Sequence, residues 1–315
     1  MLQLAFQVPF LARLGLLPRW RLDFSHPGVR RVLLLMVPAA FGVSVSQISL
    51  VLNQIFASFL QTGSVSWLYY ADRLMELPAG ALGVAVGTIL LPSLSKYHAD
   101  ANQAEYSRLI DWGLRVSVLL AVPSAVGLAV IALPLIAMLF QYGRFGVEDA
   151  WMTRQALVAY SVGLVGIILV KILAPGFYAR QNVVTPVKIG ILTLAATQAM
   201  NLVFIGPFAH AGLALAIALG ACLNAALLYR YLRKNGIYQP LPGWGAFTAK
   251  VALAVGLMAT ALYFAMGDAA WWLAAPWQRK VPGVMGLVML GAAVYAGCLL
   301  ATGLRPRHFA RRGAS

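Results

Sequence analysis

The sequence predicts an all-α integral membrane fold of eight transmembrane helices preceded by a helix stub. Three observations carry this. The 315 residues are 61% hydrophobic and only 10% charged, whereas a soluble domain carries roughly 25% charged residues. The mean hydropathy is +0.80. Apolar runs of about 20 residues or more, the length that crosses a bilayer, recur along the chain with basic residues gathered between them. The net charge of +15 therefore reads as membrane topology and not as a nucleic-acid surface. Cys222 and Cys298 both lie in apolar runs, so neither a disulfide framework nor a metal or cofactor site is indicated.

The first apolar run ends at Leu17 and is short for a span. It reads as the end of a helix that begins outside this sequence, and no signal peptide is expected, because the basic start and cleavage site are lacking. Arg13, Arg19, Arg21, Arg30 and Arg31 interleave with Leu16, Trp20 and Phe24 in an interfacial, cytoplasmic linker suited to anionic membrane lipids. The first span covers about 32–60 and carries Ser44, Ser46, Gln47, Ser49, Asn53 and Gln54. Ser46, Ser49 and Asn53 share one face. A turn at 61–64 leads to the second span, about 65–91, whose Gly80, Gly83 and Gly87 offer a small-residue face for close packing. A polar loop is expected at 96–111. The third span, 112–140, is interrupted by Pro123 and Pro134, and the fourth, 154–178, holds Lys171 and Pro175. The fifth, 187–205, contains Thr193, Thr197, Gln198 and Asn201; after a turn at 206–208 the sixth runs over 210–232. The seventh (247–266) and eighth (281–303) carry no ionisable residue from 251 and 281 onward and read as lipid-facing.

With eight spans both ends lie on one side. Of the 24 Lys and Arg, 18 then fall on the side of the termini and four on the other, with Arg73 and Lys171 inside the membrane. Positive loops resist translocation, which makes the termini cytoplasmic and sets Trp271, Trp272 and Trp277 at the outer interface.

Chemistry concentrates in Ser66-Trp67-Leu68-Tyr69-Tyr70-Ala71-Asp72-Arg73-Leu74-Met75-Glu76-Leu77-Pro78. Charge within a membrane helix marks a functional site by default. Arg73 and Glu76, at i,i+3, can pair while Asp72 lies alongside, and Pro78 should kink the helix just below. Because Ser66 and Asp72 are only about 9 Å apart along a helix, the cluster is shallow, and a solvated charge patch at the outer end is the plainer alternative. An arginine fork suits phosphate oxygens. Lys171 either snorkels to the cytoplasmic edge or faces a cavity. The polar faces Ser46, Ser49, Asn53 and Thr197, Asn201 could line a path or hold a cation, although hydrogen bonding between helices is the commoner use. No enzyme motif is present: the four histidines fall at loops or helix ends, and there is no HExxH, CxxC or phosphate-binding glycine loop.

Three stretches make the chain resemble the MurJ (MviN) family of lipid II flippases, within the multidrug/oligosaccharidyl-lipid/polysaccharide exporter superfamily. They are Gly42-Val43-Ser44-Val45-Ser46-Gln47-Ile48-Ser49, Ser64-Val65-Ser66 through Asp72-Arg73-Leu74-Met75-Glu76, and Gly87-Thr88-Ile89-Leu90-Leu91-Pro92-Ser93-Leu94-Ser95. Ala174-Pro175-Gly176-Phe177-Tyr178-Ala179-Arg180-Gln181 and Thr185-Pro186-Val187-Lys188 fit the same family. The resemblance implies a two-lobe, fourteen-helix transporter of the bacterial inner membrane, of which this chain is the second lobe. It implies four parts: a helix end and basic linker (1–31), a six-helix C-terminal lobe (32–235), two added helices that help form a groove for a lipid tail (236–304), and a basic tail (305–315). The implied substrate is undecaprenyl-diphosphate disaccharide-pentapeptide, a peptidoglycan precursor moved to the outer leaflet by alternating access. The implied substrate-binding set is Arg73, the family's essential eighth-helix arginine, with Asp72, Ser66 and Glu76. The first lobe, with the other important arginines, would be a partner absent from this chain. Export of a drug or polysaccharide-linked lipid, or an inactive half that only associates with a partner, are the alternatives. Some relatives bind a cation between the seventh and eleventh helices; Asn53, Thr197 and Asn201 lie there but supply no carboxylate.

Overall fold

A computed structural model describes residues 8, 10–13 and 27–304; several side chains within 28–46 and 84–86, that of Ser46 among them, are not described. The expected helix stub, most of the basic linker and the tail lie outside the described residues. Within them are ten helices: α1 Pro27–Ser58, α2 Ser64–Ala99, α3 Gln103–Val130, α4 Ala132–Leu139, α5 Val147–Leu173, α6 Pro175–Tyr178, α7 Val184–Lys234, α8 Trp244–Met266, α9 Ala269–Ala274 and α10 Trp277–Ala301.

Six helical segments among the described residues are long and apolar enough to cross a membrane: α2, α3, α5 continued through α6, α7, α8 and α10. Eight separate spans were expected, and α7 accounts for much of the difference. Its 51 residues merge the expected fifth and sixth spans, because Gly206-Pro207-Phe208 opens no loop. The helix instead folds back at Ala209, whose φ of 46° and ψ of −126° break the helical run. A Cβ on Gly212 would lie 2.3 Å from Phe204 O, and one on Gly220 would lie 2.1 Å from Thr197 Oγ1. In a straight helix these pairs would sit about 12 and 35 Å apart. Thus α7 is a hairpin of two antiparallel arms.

The polar stretch expected as a loop at 96–111 is mostly helical. α2 runs on to Ala99, with Lys96 and His98 in its last turn, where cations favour the C-terminal end of the helix dipole. α3 starts early because the Asn102 side chain accepts from Glu105 N at 3.1 Å, a capping bond, and Arg108 pairs with Glu105 at 2.6 Å. The third span divides at Ile131 into α3 and α4, with Pro134, which has no N–H to donate, in the first turn after the break.

α5 is the axis of the lobe. Leu157, Leu164, Ile168 and Ile172 on it are fully buried. Toward α2 and α4 it packs with Ala71, Leu74, Leu133 and Ile136; toward α3 and the end of α7 the core continues through Leu90, Ile110, Phe177, Leu228 and Tyr238. Gly163 and Gly166 bring α5 against α7 so closely that an added Cβ would lie 2.5 Å from Ala218 Cα and 2.6 Å from Cys222 N.

α8 and α10 pack on each other and on α3 through Phe247, Val251, Met258, Leu262, Trp272, Val284 and Leu287. Trp272 is buried within the protein: its Nε1 donates to Met266 O at 2.8 Å, and its ring covers Gly283. Trp271 and Trp277 remain exposed. The pair is fastened to the lobe by a buried knot. Asp111 Oδ1 accepts from Tyr238 Oη at 2.7 Å, Trp244 Nε1 at 2.8 Å and Leu241 N at 3.1 Å. Its Oδ2 accepts from Arg115 Nε at 2.7 Å, and Arg115 also donates to Pro242 O at 2.9 Å. Burial first, then the Asp111 carboxylate, pushes the Tyr238 phenol up from its ordinary range.

Candidate functional site

The start of α2 is fixed before its charges are placed. Gly63, at φ +105°, turns the chain where a Cβ would meet the Trp67 ring at 2.6 Å. Trp67 is buried and donates through Nε1 to Asp149 Oδ1 at 2.7 Å. Asp149 Oδ2 in turn accepts from Gly146 N at 2.8 Å, so one carboxylate both caps α5 and anchors α2. The Trp67 ring lies 5.1 Å from that of His210, which bonds Met152 O at 2.9 Å. This support has no signature in the sequence: Asp149 and His210 lie 82 and 143 residues beyond Trp67, and only the assembled helices bring them to it.

Below this anchor, Arg73 Nη1 donates to Glu76 Oε2 at 2.5 Å, and the guanidinium carbon lies 5.1 Å from the Tyr69 ring centroid. Both side chains are more than half exposed, 53% for Arg73 and 61% for Glu76. They border an open groove of about 530 Å³ lined by Arg73, Leu74, Glu76, Leu77, Gly80, Leu139 and Phe140. Its walls are thus apolar apart from one ion pair. Ser66, exposed, lies on the same helical stripe two turns, about 10 Å, above Arg73. Asp72 does not line the groove. It is half-buried beside Arg73. Pro78 sits inside α2, which continues to Ala99; lacking an N–H, it leaves Leu74 O without its helical donor.

Lys171 does not run toward the Lys96 end of α2, as snorkelling to the cytoplasmic edge requires. Its backbone is level with Gly87 and its stem crosses Gly83, and its Nζ donates to Ala79 O at 3.0 Å. The ammonium therefore points toward the Arg73 end, one turn from Glu76 along α2. The glycines at 83 and 87 are what leave room for that stem.

The second polar set is an amide cluster between α1 and α7. Asn201 Nδ2 donates to Asn53 Oδ1 at 2.8 Å and to Gln198 Oε1 at 3.1 Å. Asn201 Oδ1 and Gln198 Nε2 are buried without partners among the described residues. Thr197 turns away, donating to Thr193 O at 2.8 Å and packing on Gly220. Ser49 is half-buried, and the Ser46 side chain lies outside the described residues.

An all-helical multi-pass membrane protein, glycine-packed around one axis and carrying an exposed arginine in a mostly apolar groove, is of the class of membrane transporters. The comparisons place it more narrowly. The family model for "Lipid II flippase MurJ" matches residues 1–275, and the chain belongs to that family, which is one of transporters and not of enzymes. A lipid II flippase MurJ from Burkholderia cenocepacia is 50% identical over 99% of this chain and 61% of its own length. Among solved structures, a lipid II flippase MurJ in an inward closed conformation superposes with a TM-score of 0.70 at 22% identity, over 89% of this chain and 55% of that one. An outward-facing multidrug resistance transporter of the MATE family, in the MOP superfamily, gives 0.55 at 16% identity, over 86% and 64%. The chain thus spans about three-fifths of the length of the curated relative.

Proposed function

We propose that this chain is the C-terminal lobe of a lipid II flippase of the bacterial cytoplasmic membrane, and that Arg73 is its contact for the anionic diphosphate headgroup. One observation carries the assignment to Arg73: it stands more than half exposed in a groove that is apolar apart from Glu76, with one hydrogen bond among the described residues out of five donors. The donors that Glu76 leaves open are costly in a membrane unless a further anion meets them. The family supports the substrate: lipid II is a diphosphate on a polyprenyl chain, and the groove offers a cation beside Leu77, Leu139 and Phe140 for that mixture.

In this reading the two arms of α7, about 25 residues and 37 Å each, cross separately. With α1, which carries no charge after Arg31, they make eight crossings. Residues 32–235 form the lobe and 236–304 the added lipid-facing pair. Both ends face the cytoplasm with the basic loops. The Asp111 knot then lies on the cytoplasmic side, and the Trp67 anchor and Arg73 groove lie toward the outer side. A first lobe supplies the facing wall, and rocking of one lobe against the other exposes the groove alternately.

The test is Arg73→Ala at the chromosomal locus. The proposal expects loss of growth with the protein still present in the membrane. Normal growth would remove Arg73 from the site. Arg73→Lys separates fork geometry from charge, and a partial defect is expected because an ammonium cannot bind two oxygens in parallel.

A further inference from the structure

The groove arginine is already occupied, and its occupant belongs to the same helix turn. Glu76 offers Arg73 one oxygen; its Oε1 and the other guanidinium donors have no partner among the described residues. Because the two are i,i+3 on α2, Glu76 stays within reach of Arg73 whatever enters the groove. The neighbouring Asp72 does not line the groove and forms no ion pair with Arg73 among the described residues. Lys171 is held at Ala79 O and leaves Glu76 to Arg73 alone.

Resting on the reading of Arg73 as the anion contact, we propose that Glu76 is a built-in competitor that holds Arg73 when the groove is empty, yields to a phosphate- or diphosphate-bearing lipid headgroup, and takes Arg73 back as that headgroup leaves. The exchange is chemically favourable but shallow. A diphosphate can accept two parallel bonds from the guanidinium where Glu76 accepts one, so the ligand wins. The returning carboxylate limits how firmly it is held, which suits a site that must release what it binds. No covalent bond is made or broken and no proton is transferred.

The size of the effect follows from the exposure of the pair. Exposed ion pairs of this kind shift equilibria by roughly 1.4- to 5-fold. Glu76→Gln keeps the shape and removes the competing charge. It leaves the fold intact, because Arg73 is the only hydrogen-bonding partner of the Glu76 side chain among the described residues.

The experiment measures binding and dissociation of undecaprenyl diphosphate by the chain in nanodiscs of neutral lipid, for the unaltered protein, Glu76→Gln, Arg73→Gln and the double variant. Glu76→Gln is expected to bind about 1.4- to 5-fold more tightly, with the gain in slower dissociation. Arg73→Gln is expected to bind at least about tenfold more weakly, and the double variant no better than Arg73→Gln alone. If Arg73→Gln loses binding while Glu76→Gln gains none, Glu76 is no competitor. If Glu76→Gln tightens binding equally without Arg73, its charge acts at a distance and the exchange is refuted. If Arg73→Gln binds as the unaltered protein does, the reading of Arg73 fails, and the exchange fails with it.

Discussion

Replacing Asp111 with Asn should release the segment that ties α8 to the lobe. Asp111 is 1% exposed, and its two oxygens accept from Tyr238, Trp244, Leu241 N and Arg115. Asn can keep Oδ1 for the first three donors. It must present either an N–H or nothing to Arg115 Nε, whose side chain is only 22% exposed. Breaking one side of a buried ion pair costs about 3–5 kcal/mol. We take the lower end, since three bonds survive and Arg115 retains its contacts with Leu241 O and Pro242 O and its place over the Trp244 ring. About 3 kcal/mol of local destabilisation raises the open population of residues 235–243 roughly a hundredfold. Trypsin cleavage after Lys234, timed in nanodiscs, reads that population when reclosing outpaces cleavage. Tyr238→Phe, which loses one hydrogen bond to the Asp111 carboxylate worth about 1.5 kcal/mol at the low end, should accelerate cleavage only about tenfold. A rise below threefold for Asp111→Asn would refute the claim that this carboxylate fastens the terminal helices.

Three further outcomes follow from the same geometry. The Tyr238 phenol is raised above its ordinary pKa of 10.0, so its contribution should be fully present below about pH 10 and be lost as pH climbs toward the folded value; cleavage after Lys234 should be pH-independent up to that point once trypsin's own profile is divided out, and an onset near pH 8 would contradict this. Gly163→Ala places a Cβ 2.5 Å from the Ala218 backbone and should destabilise the lobe by about 1–3 kcal/mol, seen as a lower melting temperature in detergent. Gly80 has nothing within 4 Å of an added Cβ yet lines the groove, so Gly80→Leu should leave the melting temperature unchanged or higher while abolishing support of growth; growth as in the unaltered strain would show that the groove beside Arg73 is not used.

Most of the fold was legible because apolar length alone reports a membrane helix. The boundaries were legible only where a turn costs polar surface. Gly206-Pro207-Phe208 looked like a loop, but the reversal needs only Ala209 in a positive-φ conformation. The stretch 96–111 looked like a loop because its charges break the apolar pattern, yet Asn102 and Glu105 cap and start α3 there. At the site, Arg73 and Glu76 were legible because i,i+3 spacing fixes their pairing on any helix. The half-burial of Asp72 and the reach of Lys171 to Ala79 were not, since both depend on how α2 and α5 pack. The Trp67–Asp149–His210 anchor had no local signature, because its members lie on three helices.

The claim at the centre of this account is that Arg73 meets the headgroup that is moved. The most direct test is the fraction of lipid II that a probe added from outside can reach, in cells carrying Arg73→Ala at the locus. With the variant present in the membrane at normal levels, the fraction should fall to that of cells depleted of the protein. An accessible fraction equal to that of the unaltered strain would contradict the account.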